Sequence, residues 1–446
     1  MRPKFSHWMM PAKLNDSPTC LQTVKNGSRR HTSTLDHLRE ITLTISRVRI
    51  LISAGEASGE MYGAQLMRAL RLGDARVGSS FSPFQAGLHS QKLEFFGAGG
   101  ERMRAAGCEI VVDARDLAVV GITEILSHLP KIYGLFHKLI DEADRRHPDL
   151  AVVIDSPAFN WRVARQMRKR GVPVVYYVCP QFWAWRQGRV RLLRKYIDKA
   201  LVIFPFEERF YRDHGVDATF VGHPLADLPP PGITREQFAR ENGLDPNKPW
   251  ITIMPGSRVK EVSMNLPGIL QAADRLGTAY EFLLPIAPTL QSDFLRGAIG
   301  NRPNLHLVRE ALPALFHSRA GIIASGTATV EAALMGLPFV MVYRVTPLTY
   351  LLGRPRVKVP HFAMVNLIAG TKVVPELVQH DFTAEKVVAR LQEILPDGPA
   401  RSTMIEGLAP VRASLRSPAS HGEAAADRAA EIIRGLLAGV QIVKPG

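Results

Sequence analysis

The residues best suited to chemistry sit in short loops, each directly after an apolar run. Pro255-Gly256-Ser257-Arg258 follows Trp250-Ile251-Thr252-Ile253-Met254. Gly256 admits close backbone approach, Ser257 and the amides after it can donate hydrogen bonds, and Arg258 is a bidentate cation, which together suit a diphosphate. By itself the loop equally describes a strand-to-helix turn with a surface arginine. Ala324-Ser325-Gly326-Thr327-Ala328-Thr329-Val330-Glu331 repeats the logic. Small hydroxyl residues at a helix start offer free N–H groups to an anion, aided by the helix dipole. Glu331, one turn on, can accept from ribose hydroxyls, although an N-cap followed by a capping-box-like acid has the same pattern. Asp155 ends the run Leu150-Ala151-Val152-Val153-Ile154. A carboxylate there is either a helix N-cap or a general base at a cleft.

Two further segments have a sharp and a plain interpretation. Phe182-Trp183-Ala184-Trp185-Arg186 leads into Arg189, Arg191, Arg194, Lys195 and Lys199. No nucleic-acid-binding module surrounds it, so a phosphate-binding or membrane-facing edge is the more economical alternative to a solvated charged face. The stretch from Leu117 to Ile140 carries apolar residues at helical spacing, interrupted by Pro130 and Gly134. It is either a core helix or a surface for acyl chains. Phe96-Gly97-Ala98-Gly99-Gly100 lacks the G-x-G-x-x-G spacing and a ribose-binding acid at the expected distance, which excludes a dinucleotide cofactor. There is no Asp-x-Asp pair and no histidine cluster, so neither a metal nor another cofactor is expected.

The elements that must position these loops follow from the apolar pattern. Val48-Arg49-Ile50-Leu51-Ile52-Ser53, Leu150 to Ile154, Val172 to Val178 and Ala200 to Phe204 are short β-branched runs alternating with helical patterns. Uninterrupted apolar strands of this kind imply a parallel sheet covered on both faces. Gly222-His223-Pro224-Leu225-Ala226-Asp227-Leu228-Pro229-Pro230-Pro231-Gly232 is read as a hinge. The alternation then restarts at Trp250 and continues through Tyr280–Leu284, Leu305–Val308, Gly321–Ala324 and Phe339–Tyr343. The expectation is an α/β protein of two Rossmann-like, doubly wound domains facing a cleft. Residues 48–222 form the first domain, 223–232 the hinge, 233–409 the second domain and 410–446 a helical segment. Ligands in such sheets bind at the carboxyl ends of the strands, where all the loops above lie.

Composition narrows the class. The 446 residues are 46% hydrophobic and 22% charged, enough for a buried core. A net charge of +15 favours an anionic partner, whether a phosphorylated substrate, an anionic membrane surface or nucleic acid. Cys20, Cys108 and Cys179 are too few and scattered for a disulfide framework or a zinc site, and fit reduced thiols in the cytosol. Residues 1–47 are basic, carry Arg2, Lys4, Lys13, Lys25, Arg29, Arg30, Arg39 and Arg47 against Asp16, Asp36 and Glu40, and are expected to be a disordered tail without a secretory signal, or the product of a translation start placed too early. The run from Ala320 to Tyr343 contains Glu331 and Pro338, so it is expected to be two buried elements rather than a membrane span.

Taken together and in order, the segments resemble the lipid-A-disaccharide synthases. The resemblance rests on Ala54-Gly55-Glu56-Ala57-Ser58-Gly59-Glu60, Ala118-Val119-Val120-Gly121-Ile122-Thr123-Glu124, Ile154-Asp155-Ser156-Pro157-Ala158-Phe159-Asn160, Trp183-Ala184-Trp185-Arg186, Gly222-His223-Pro224, Pro255-Gly256-Ser257-Arg258, Ser325-Gly326-Thr327 and Asn366-Leu367-Ile368-Ala369-Gly370. It runs from about Val48 to the Phe382 region and implies a GT-B fold without a cofactor. The implied reaction moves diacylglucosamine from UDP, with inversion, to the 6-hydroxyl of diacylglucosamine 1-phosphate in lipid A biosynthesis. It implies Asp155 as the base. Gly256, Ser257, Arg258, Ser325, Gly326, Thr327, Glu331 and Asn366 would serve UDP, and Glu56, Ser58, Glu124, Trp185 and Arg186 the acceptor side of the cleft. It also implies a cytoplasmic protein held peripherally on the anionic inner face of the inner membrane. Ala158 stands where the family often has a second acid, which leaves Asp155 alone as base; Glu60 for Asp and Val365 for Pro are mild departures. The alternatives are another UDP-N-acetylglucosamine-using transferase or epimerase, such as the lipid II transferase, and a non-catalytic basic protein. The Trp-Ala-Trp-Arg and Glu-Ala-Ser-Gly-Glu segments oppose the first, and the joint presence of Asp155, Arg258 and Glu331 opposes the second.

Overall fold

Thirteen described strands form two sheets in which every pairing is parallel. The structure is a computed structural model that describes residues 47–76, 92–117, 122–185, 187–354, 357, 359–417 and 423–443. The basic tail expected over residues 1–47 therefore lies outside the described residues, apart from Arg47. The first sheet contains β1 (Arg47–Ala54), β2 (Lys92–Gly99), β3 (Cys108–Asp113), β4 (Leu150–Ile154), β5 (Val174–Tyr177), β6 (Lys199–Val202) and β7 (Ala218–Phe220), in the order β3-β2-β1-β4-β5-β6-β7. The second contains β8 (Trp250–Met254), β9 (Glu281–Pro285), β10 (Leu305–Val308), β11 (Ala320–Ala324), β12 (Phe339–Tyr343) and β13 (Glu376–Val378), in the order β10-β9-β8-β11-β12-β13. Both are doubly wound, and the strand order reverses between β1 and β4 in one sheet and between β8 and β11 in the other.

The continuous apolar runs are explained by burial on both faces. Ile50, Ile52, Val152 and Ile154 enter one core, while Leu51, Ala151 and Val153 enter another on the opposite face. This is the two-residue alternation of a pleated strand, hidden in the sequence because both faces are dry. The helices that matter to the site are α1 (Ala57–Arg76), α2 (Ile122–Arg146), α3 (Pro157–Lys169), α4 (Val259–Leu276), α5 (Ala328–Leu334), α6 (Met364–Ala369) and α7 (Ala425–Val443). Leu139 and Ile140 of α2 are buried against the first sheet, whereas Tyr133 is exposed.

The two sheets do not sit at the ends of a free linker. His223, Pro224, Leu225 and Ala226 are buried, and Pro224–Asp227 forms a tight helical turn. The His223 N–H donates to the Leu415 carbonyl at 2.7 Å, so the chain crosses between the sheets twice, side by side. Asp227 accepts the Ala425 N–H at 2.7 Å at the start of α7. That helix returns to the first sheet: Ala429, Ala430, Ile433 and Leu437 join its core, and Arg434 donates to the Ala69 and Leu70 carbonyls of α1. Val330 and Leu334 of α5 and Met364 of α6 enter the same core. Of the prolines in this segment, Pro224 is a packing residue, whereas Pro229 and Pro230 are exposed. No helix among the described residues is long and apolar enough to cross a membrane.

Close approach at the centre of the first sheet depends on one glycine. Gly97 has φ +151°, and a Cβ there would lie 2.0 Å from the Ile52 carbonyl oxygen of β1. Gly97→Ala is expected to lower stability by about 3 kcal/mol, because neither backbone can yield inside a packed sheet. Urea unfolding of the variant measures this; an unchanged midpoint would contradict it.

Candidate active site

The four loops at the two points of strand reversal, after β1, β4, β8 and β11, contain Glu56, Asp155, Arg258 and Ser325. These are the positions where open α/β sheets bind ligands. The first three converge. Arg258 Nη2 lies 3.7 Å from Glu56 Oε2, so the carboxyl ends of β1 and β8 face each other across a narrow gap. The charges of both Glu56 and Arg258 reach the Asp155 carboxyl.

Asp155 is held in an unusual backbone state. It has φ +48° and Ser156 has φ +45°, two consecutive non-glycine residues in the left-handed region. Each costs roughly 1–2 kcal/mol relative to an ordinary conformation. Asn160, on the first turns of α3, compensates. Its amide nitrogen donates to the Ser53, Ile154 and Asp155 carbonyls at 3.1, 2.8 and 2.9 Å, and its oxygen accepts from the Ser53 hydroxyl at 2.7 Å. The Tyr176 hydroxyl adds a bond to the Asp155 carbonyl at 2.8 Å. Close packing completes the turn, since a Cβ on Gly55 would lie 2.3 Å from the Ser156 hydroxyl. The Asp155 carboxyl therefore points out of a rigid turn. Desolvation raises it to about 6, the Glu56 charge adds to the rise, and the Ser156 N–H and Arg258 oppose it. It is an ionised base at neutral pH with more proton affinity than a free aspartate.

The Arg258 loop is an anion cradle that already contains a carboxylate. Glu261, in the first turn of α4, accepts the Ser257 N–H at 3.1 Å with one oxygen and Arg258 Nη1 at 3.1 Å with the other. Gly256 has φ +127°, and a Cβ there would come within 2.6 Å of Glu261 Cβ. Asn265 secures the loop by donating to the Pro255 carbonyl at 3.0 Å and accepting the Arg344 N–H at 2.8 Å. The Thr289 hydroxyl donates to the Ser257 carbonyl.

After β11, Gly326 has φ +139° and Thr327 precedes the short helix α5, where the Thr329 N–H donates to the Gly326 carbonyl and the Val330 and Glu331 N–H groups to the Thr327 carbonyl. The Ser325 hydroxyl donates to the Phe362 carbonyl at 2.7 Å, which joins this loop to the start of α6. Burial raises the Glu331 carboxyl to about 7. Tyr62 of α1 connects the two halves electrostatically: burial raises its hydroxyl first, and the charges of Glu331 and Asp155 both push the same way. Asn366 faces inward. It accepts the Val373 and Val374 N–H groups at 2.8 and 2.9 Å and donates to the Val374 carbonyl and Glu376 at 2.9 and 2.8 Å. It thus holds the loop that carries the Ser325 partner.

Several motif residues are architectural. Glu60 accepts the Arg102 N–H at 2.6 Å and fills the space beside Gly100. Trp183 donates to the buried Glu207 at 2.8 Å, and Glu207 also accepts the Ile203 and Phe204 N–H groups. His223 accepts the Leu225 N–H through Nδ1, and burial pushes it down to about 3, so it stays neutral at physiological pH. Ser58 is exposed on the first turn of α1. The side chains of Glu124 and Trp185, and all of Arg186, lie outside the described residues. Residues missed in the sequence are Glu261, Tyr62 and the anchoring role of Asn160. Glu261 follows Arg258 by three residues, a first-turn spacing that signals such a bond; Tyr62 carries no local signal. A concavity of 540 Å³ lined by Arg49, Arg71, Lys92, Glu94 and Arg146 lies at the opposite, amino ends of the first strands, where Arg146 is already paired with Glu109 and Glu142.

Removing the Asn160 amide takes one donor from each of three strand-end carbonyls, of which only that of Asp155 keeps a second side-chain donor, the Tyr176 hydroxyl. Asn160→Ala is expected to cost about 3 kcal/mol in urea unfolding. A loss below that of an ordinary surface substitution would show that the turn is held otherwise.

Comparison with known proteins bears on the family and the fold. The family model described as lipid-A-disaccharide synthetase matches residues 50–424. The chain is 54% identical over 389 residues to the lipid-A-disaccharide synthase of Koribacter versatilis, covering 86% of this chain and 98% of that one. Among solved structures, the calicheamicin glycosyltransferase CalG4 superposes with a TM-score of 0.55 at 15% identity, over 89% of this chain and 100% of the other. The UDP-GlcNAc 2-epimerase of Neisseria meningitidis, bound to UDP-GlcNAc, gives 0.55 at 12% identity over 88% and 99%. The structural likenesses establish the GT-B fold, and the family match with the extensive identity places this chain in the lipid-A-disaccharide synthase family.

Proposed function

We propose that the facing loops transfer diacylglucosamine from its UDP carrier to the 6-hydroxyl of diacylglucosamine 1-phosphate, giving the β-1′,6-linked disaccharide 1-phosphate and UDP. The observation that carries the assignment of roles is the opposition of a base held on the first sheet, Asp155, to a guanidinium held on the second, Arg258. Asp155 takes the proton of the acceptor hydroxyl as its oxygen attacks the anomeric carbon. The bond from that carbon to the diphosphate oxygen breaks on the opposite face, and its electron pair leaves with UDP. Inversion follows from this single displacement. Arg258, the Gly256 amide and the Ser257 hydroxyl neutralise the departing diphosphate, with Gly326 and Thr327 at the start of α5 as further donors. Glu331 accepts from the ribose hydroxyls. Ser325 and Asn366 act through the loops they hold.

On the acceptor side, Glu56 and Ser58 border the gap. Glu124, Trp185 and Arg186 are assigned there by the family resemblance. The exposed Tyr133 on α2 supports an apolar surface near the acyl chains, and the net charge of +15 supports peripheral attachment to an anionic inner-membrane face from the cytoplasm.

The purified protein is expected to release UDP only when both acylated sugars are supplied. Turnover of UDP-N-acetylglucosamine with a non-lipid acceptor would overturn the assignment. Asp155→Asn should lower kcat by about 10³-fold while UDP affinity stays within about twofold, the scale of a lost general base. With the Asp155 carboxyl raised to about 6, the base is lost by protonation as pH falls. The acid limb of kcat/KM should therefore bend near pH 6, and Glu56→Gln should move it to lower pH by removing a charge that raises Asp155. A limb unmoved by that substitution would assign it to another group.

A further inference from the structure

Around Arg258 the balance of charge is unusual for a site meant to take an anion. Glu56, Glu261 and Asp155 all act on the one guanidinium. The two that contact it are held differently. Glu261 belongs to the same loop, three residues on, and is fixed by a second bond from the Ser257 N–H. Its geometry is independent of the other sheet. Glu56 comes from the first sheet, has a half-exposed side chain, and reaches Arg258 Nη2 at 3.7 Å, beyond hydrogen-bond distance. It is an ion pair without a geometric lock.

We propose that Glu56 is a positioning residue that occupies the outer edge of the Arg258 guanidinium while the donor site is empty and gives up that edge to the diphosphate when the donor binds. The inference rests on reading the Arg258 loop as the diphosphate site, and it adds an exchange that this reading does not contain. A guanidinium presents a planar fork that matches a phosphate bidentately. With Nη1 held by Glu261, the edge bearing Nη2 is the one left for a ligand, and Glu56 stands on it. A diphosphate and the Glu56 carboxylate cannot share that edge without like-charge repulsion, so one displaces the other. Glu261 serves as a permanent anchor that keeps the fork aimed, and Glu56 as a removable stand-in for the ligand. Once released, Glu56 lies beside Asp155 on the first sheet, where the acceptor hydroxyl must approach. Donor binding thereby frees an acceptor-side carboxylate and dissolves an ion pair between the two sheets.

The experiment is calorimetric titration of the full chain with UDP and, separately, with uridine, for the unaltered protein, Glu56→Gln and Glu261→Gln. Glu56→Gln is expected to bind UDP about fivefold more tightly, the scale of an exposed ion pair removed as competitor, with uridine affinity unchanged. Glu261→Gln is expected to bind UDP more weakly, because the fork loses its anchor, again without effect on uridine. UDP affinity that is equal or weaker in Glu56→Gln overturns the exchange, as does an equal gain for uridine and UDP, since only the diphosphate competes with Glu56. If the folded, unaltered protein binds uridine but gains nothing from the diphosphate of UDP, the loop is not the diphosphate site, and the exchange falls with that reading. A UDP site present but insensitive to Glu56 overturns the exchange alone.

Discussion

The Asn160 side chain is the constraint from which the rest of the site follows. One amide joins the ends of β1 and β4 through the Ser53 and Ile154 carbonyls and pins the Asp155 carbonyl in a left-handed turn. Without that anchor, two consecutive non-glycine residues at positive φ would relax, and the Asp155 carboxyl would no longer project into the gap. The same bonds close the point where the strand order of the first sheet reverses. Strain in the turn and its compensation by a fully buried polar group are two aspects of one arrangement: Asn160 is completely shielded from solvent, and each of its polar atoms is paired.

The second sheet solves a parallel problem with another asparagine. Asn265 is buried, fixes the Pro255 carbonyl and accepts the Arg344 N–H, and so holds the loop that presents Arg258. Asn366 does the same for the segment joined to Ser325. Amide side chains suit these places because they donate and accept at once and carry no charge to desolvate. The charged groups are left to the gap itself, where Glu56, Asp155 and Arg258 modify one another. Glu56 and Arg258 keep contact with solvent, whereas burial of the Asp155 carboxyl makes it a stronger base than an exposed aspartate.

The enzyme belongs to lipid A disaccharide synthesis, yet much of the motif content that marks its family serves architecture. Trp183 satisfies a buried glutamate, Glu60 caps the helix after Gly100, and His223 is a neutral residue inside the crossing between the sheets. Ala158, at a position where the family often has an acid, lies at the start of α3, and the turn before it is held without a second carboxylate. In these motifs most of the side chains hold the backbone in place, and few are left to face the gap.

The sequence by itself determined the fold class, because apolar runs too continuous for a one-sided sheet can only be parallel strands buried on both faces. It also marked the candidate loops, since strand-end loops of such sheets are where ligands bind, and Asp155 and Arg258 stand in them with Glu331 in the helix that follows one. Only the tertiary structure decided how those residues are arranged. That Glu56 reaches Arg258 from the other sheet and that Tyr62 feels the charges of both Asp155 and Glu331 are relations between residues distant in the chain, and that Asn366 faces inward is a matter of packing rather than of local pattern. The Pro-rich segment read as a hinge proved half buried, because proline signals the end of regular structure but not whether the chain there is solvated. Local pattern reports backbone state and burial, whereas contact between two sheet edges depends on how the two crossings of the chain set one sheet against the other.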